Sequence, residues 1–171
     1  PFIMNTAKLH SLSYTDYRTY LLAGLFVAGN IVLPQLVHLL PNGGMALLPI
    51  YFFTLIAAYK YGIMAGVLTA LLSPLLNHAL FAMPPAAVLP VILTKSVLLA
   101  IAAALAARHF RKVSIPALLL VVLAYQISGT LVEWAMVKDF WMALQDLRIG
   151  LPGMVLQIVG GFVVLKALAK Y

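Results

Sequence analysis

The chain contains no cysteine, which excludes disulfides and thiolate metal sites. Charge is almost as scarce. Only 9% of residues are Asp, Glu, Lys or Arg, and only four are acids. A soluble domain of 171 residues needs far more charged surface than that. Catalytic signatures are missing too: no H-E-x-x-H pair of zinc ligands, no G-x-S-x-G elbow, no G-x-x-x-x-G-K phosphate loop and no paired intramembrane aspartates. The chain therefore reads as no enzyme, and any ATP hydrolysis it depends on belongs to another polypeptide. Glu133 is the only acid inside an apolar run, so a proton or sodium relay is poorly provided for.

What is there in abundance is hydrocarbon. Hydrophobic residues make up 64% of the chain and the mean hydropathy is +1.07. These values describe an all-α, multi-pass membrane protein, with residues 1–171 forming a single integral domain in the lipid bilayer. The net charge of +7 does not indicate nucleic acid, because the basic residues are spread between apolar segments instead of pooled on one face. The first residue is Pro1, with Met4 reading as the natural start. No short apolar core with a small-residue cleavage site follows, so no signal peptide is expected.

A helix crossing the hydrocarbon needs roughly 20 residues. Six stretches serve, at about 20–40, 45–59, 62–83, 86–107, 115–137 and 149–168, preceded by an N-terminal segment over 1–19. In this arrangement Lys8, Arg18, Lys60, Arg108, Arg111, Lys112, Lys166 and Lys170 fall on one side. Lys138 and Arg148 fall on the other, offset by Asp139 and Asp146. The bias predicts a six-helix bundle with both termini in the cytoplasm.

With orientation assigned, depth follows. Asn30, Gln35, His38, Asn77, His78, Lys95, Gln126, Glu133 and Gln157 all fall in the outer half or near mid-depth, while the inner halves are Leu, Val, Ala and Gly. Pro34, Pro49, Pro74 and Pro90 occupy the same outer layer. Residues that merely glue helices together would scatter through both leaflets, so the shared depth points to a polar, outward-facing pocket with these side chains and Tyr51 around it. Lys95 and Glu133 must find partners to lie so deep. Either they pair with each other as packing glue, or they form the pocket floor. The two membrane histidines read as hydrogen-bonding residues, so no metal site is expected. Pro41, Asn42, Gly43 and Gly44 form a hinge between the first two spans and read as a lid loop. Gly24 and Ala28 form a small-xxx-small pair on the first span, where a partner helix can approach closely.

The segments "LPQLVHLLPNGGMALLPI" and "YKYGIMAGVLTALLSPLLNHALFAMPP", together with Gly24-xxx-Ala28, resemble the substrate-binding S components of energy-coupling factor (ECF) vitamin transporters. The resemblance extends over the whole chain. The small pair is Gly/Ala here where Ala/Ala is usual. What the resemblance implies is a six-helix membrane subunit that binds a vitamin or precursor from outside, under the loop that follows its first helix. It then docks through Gly24 and Ala28 on a transmembrane scaffold subunit served by two ATPase subunits. The host membrane would be the bacterial cytoplasmic one. Two ligand classes are in view. A cobalamin-type corrinoid is one, with His38 toward the cobalt. A carboxylate vitamin such as biotin, lipoate or pantothenate is the other, with Lys95 as its counter-ion. The alternative function is a stand-alone secondary transporter or channel for a small solute.

Overall fold

A computed structural model describes residues 9–41, 43 and 47–169. Among the described residues every regular element is helical. Helix α1 spans Tyr17–Val37, α2 Phe52–Tyr61, α3 Ile63–Phe81, α4 Leu89–Phe110 and α5 Ile115–Val137. Two short helices follow, α6 over Phe140–Ala143 and α7 over Gln145–Ile149. The last helix, α8, covers Leu151–Ala167, with a π-helical stretch over Leu156–Gly160.

The start signals are legible in the local chemistry. Asp16 caps α1 by accepting from the Arg18 backbone N–H at 2.9 Å, and the Arg18 guanidinium folds back onto the same carboxylate. These hydrogen bonds hold the Asp16 carboxyl below its ordinary range. Ser114 caps α5 through the Ala117 N–H, with Pro116 in the first turn.

Four helices, α1, α3, α4 and α5, are long and apolar enough to cross a membrane. Their boundaries lie within a turn of the stretches expected from sequence. The stretches 45–59 and 149–168 come out shorter. Leu48 takes a left-handed backbone (φ 48°) and Pro49 opens a 3-10 turn over Pro49–Tyr51, so α2 begins only at Phe52. Gly62, at φ +99°, ends it. A Cβ at that position would meet Ser11 Cα at 2.9 Å on a backbone that side chains avoid, so the α2–α3 corner requires glycine.

Helix α2 sits at the centre of the bundle. Phe52, Leu55, Ile56, Ala57, Ala58 and Tyr59 are all buried, and α1, α3, α4 and α8 pack around them. Gly66 on α3 faces Ala58 so closely that a Cβ there would overlap it. An alanine ladder on α4, Ala100, Ala103, Ala104 and Ala107, is buried. Residues 9–16 lie along the other end of α2, where His10 N–H donates to the Lys60 carbonyl at 2.7 Å and Leu12 N–H to that of Tyr61 at 3.0 Å. The outward faces are apolar, with Leu25, Val32, Leu120, Ile127, Val155 and Val163 all more than half exposed. That surface suits hydrocarbon better than water.

Candidate functional site

A cavity of about 830 Å³ opens at one end of the bundle, a size proper to a small-molecule ligand. The C-terminal ends of α1, α3 and α5 meet there with the N-terminal half of α4, the 3-10 turn and the α6–α7 segment. The walls are largely apolar: Pro34, Leu48, Pro49, Ile50, Val88, Val91, Ile92 and Val137. Six of the residues anticipated from sequence line it, namely Gln35, His38, Tyr51, Asn77, Lys95 and Glu133. Gly43 of the anticipated lid lines it as well. Pro41 is exposed and outside the lining, and Asn42 and Gly44 fall outside the described residues.

The charged group at the wall is a triad. Lys95 Nζ donates to Asp146 Oδ2 at 2.8 Å and stands 2.5 Å from Glu133 Oε2, the second contact being an ion pair and not an aligned hydrogen bond. The Lys95 side chain is 3% exposed, against 15% for Glu133 and 17% for Asp146. Both partners thus present more surface than the ammonium they neutralise. The lysine stem reaches this position by lying against α5 where Gly129 leaves room. A Cβ on Gly129 would come within 3.0 Å of Lys95 Cγ.

The remaining anticipated residues lie in the core beside the cavity. Asn30 is fully buried and fully engaged. Its Nδ2 donates to Thr54 Oγ1 at 3.1 Å and Ser73 Oγ at 2.9 Å, and its Oδ1 accepts from Phe53 N–H at 3.0 Å. It therefore ties α1, α2 and α3 together beneath the floor. Asn77 continues this layer, donating to the Asn30 carbonyl at 3.0 Å and the Ser73 carbonyl at 2.9 Å, while also reaching the cavity. Gln126 and Gln157 join through Tyr125, whose hydroxyl donates to Gln157 Oε1 at 2.8 Å and accepts from Gln126 Nε2 at 3.0 Å. The Tyr125 ring lies 5.8 Å from that of Tyr51, which carries this buried network to the cavity wall. His78 lies outside the lining. Its Nδ1 is 2.8 Å from the Pro84 carbonyl, which can only accept, so the ring carries its proton on Nδ1 there. With His78 spent on that carbonyl outside the lining and His38 in the lining, the two histidines do not share the cavity. Among the described residues no three His, Asp or Glu side chains gather to hold a metal ion.

Sequence reasoning missed Asp146, Gln145 and Met142 as lining residues, and the Met83–Pro85 wall with them. One signal pointed toward Asp146. A buried lysine with a single acid among the spans has spare hydrogen-bonding capacity, and a second acid had to come from a flanking loop.

Away from the cavity, Gly24 and Ala28 lie on the open face of α1. Both are exposed, and nothing stands within 4 Å of a Cβ built on Gly24. Compared with protein-family models, curated proteins and solved structures, the chain matches none.

Proposed function

We propose that this chain is the substrate-binding S component of an ECF vitamin transporter. It resides in a bacterial cytoplasmic membrane with six membrane-crossing segments and both termini inside. It takes a vitamin-sized molecule from outside into the 830 Å³ cavity. It then docks on a transmembrane scaffold through the Gly24–Ala28 face, and two ATPase subunits on the far side drive release.

The observation that carries this reading is the cavity itself. It sits at one end of the bundle, lined in part by His38, Leu40, Gly43 and Leu48 from the segment that follows α1, with apolar walls and a few polar groups. The charge distribution supports the orientation: the cavity end carries Lys138 and Arg148 beside Asp139 and Asp146, whereas Lys60, Arg108, Arg111 and Lys112 sit at the ends of α2 and α4 away from it. In this reading α2 crosses enclosed by its neighbours, and α8 crosses with its Val155 and Val163 side toward lipid.

The test is native mass spectrometry of the chain purified from its host. The expected result is a co-purifying molecule of vitamin size, bound without ATP. Gradient-driven solute flux in liposomes containing only this chain would overturn the reading in favour of a stand-alone transporter.

A further inference from the structure

Resting on the reading of this cavity as a ligand pocket, we infer that its ligand presents a cationic nitrogen to Glu133 and Asp146, and that a carboxylate-bearing ligand is disfavoured. Lys95, taken alone, suggests an anion-binding site. Its surroundings reverse that. The charged side chains lining the cavity are Lys95, Glu133 and Asp146, one ammonium against two carboxylates, for a net charge of −1. The positive member is the one most hidden, at 3% exposure, and it is already paired on two sides. A ligand carboxylate would have to displace a resident one, or enter a site whose net charge repels it. A ligand cation instead brings the cluster to neutrality at the point where the carboxylates are most exposed.

One uncharged polar group in the wall, Asn77, points the same way. Asn77 is 2% exposed and spends its amide nitrogen on two backbone carbonyls, which leaves its side-chain oxygen as acceptor. Lys95 likewise spends a proton on Asp146 and stands in an ion pair with Glu133. A carboxylate has room for about four hydrogen bonds and can only accept. Lys95 and Asn77 have thus committed N–H donors to the protein, while the two carboxylates and the Asn77 oxygen keep accepting capacity, which suits a ligand that presents N–H beside them. The ring of Tyr51 adds an aromatic surface to the same wall.

The experiment uses the purified full chain in nanodiscs of zwitterionic lipid, with empty nanodiscs as blank. Three probes share one apolar body: phenylbutylammonium, phenylbutanol and phenylbutyrate. Affinities are measured by calorimetry for the native protein and for Glu133→Gln and Asp146→Asn. Each substitution leaves Lys95 one ionised partner, so no buried charge is stranded, and the two variants serve as checks on each other's folding. The expected result is ammonium binding at least about tenfold tighter than carboxylate, with the ratio falling several-fold in either variant. Equal or tighter binding of phenylbutyrate, a ratio unmoved in both variants, or no binding of any probe overturns the inference. The molecule that co-purifies separates the two levels. An anionic native ligand removes the charge assignment and leaves the binding-subunit reading intact, whereas flux without partners removes that reading regardless of probe charge.

Discussion

Lys95 shows how a residue's role is set by what folds against it. Three ionised side chains out of bulk water are tolerable only together, because each alone would carry a desolvation cost of several kcal/mol. Lys95→Met leaves Glu133 and Asp146 facing each other without a cation. The expected cost is about 3–5 kcal/mol, read as a lowered unfolding midpoint in detergent. Adding Glu133→Gln and Asp146→Asn to that variant removes the stranded charge and recovers most of the loss. If the single substitution is silent, the triad is not a buried electrostatic unit. Part of this was visible in the sequence: Lys95 and Glu133 shared a depth and needed partners. Asp146 was signalled only by the need for a second acid from a flanking loop, because it lies outside every apolar run and meets Lys95 through the segment after α5.

At the scale of elements, the apolar runs located the long helices well, since a stretch of that length has only one way to satisfy its backbone in lipid. Rotation about each helix axis was less legible. Depth put Asn30, Gln126 and Gln157 beside Gln35 and Tyr51, yet the first three turn into the core and the last two face the cavity. Helices apolar on all sides offer no polar stripe from which facing could be read. The start of α2 was also displaced, because a left-handed Leu48 ahead of Pro49 is a tertiary outcome and not a propensity. The α2–α3 pair depends on close approach at Gly66. Gly66→Leu forces the helices apart at Ala58, with an expected cost of about 3 kcal/mol or more, measured by thermal unfolding in detergent. An unchanged midpoint would mean that the pair is looser than the structure has it.

For the whole molecule, the two surfaces to which the proposed function assigns roles are spatially separate: the cavity lies at one end, and the Gly24–Ala28 face lies on the flank of α1. In the proposed function this separation has a measurable signature. Gly24→Leu or Ala28→Leu puts bulk into open space, so folding and ligand affinity stay within about 0.5 kcal/mol of the native protein. Co-purification of the scaffold subunit is lost. A variant that keeps the scaffold removes the docking assignment, and one that loses the ligand as well shows that the two surfaces are one.

The brevity of α2 has a consequence for how this protein is made. Ten helical residues rise about 15 Å, half the thickness of a bilayer's hydrocarbon core. During synthesis such a segment is a poor substrate for partitioning into lipid by itself, and with Lys60 in its last turn it has a further reason to stay out. Its residence inside the bundle is granted by α1, α3 and α4, the last two of which are synthesised after it. Residues 45–62 placed alone in a membrane-insertion reporter should therefore insert poorly and insert well when α3 through α5 follow. In the proposed six-span arrangement the centre of this molecule is the part that enters the membrane on its neighbours' terms, and mutations in those neighbours would surface as defects in biogenesis before they surface as defects in binding.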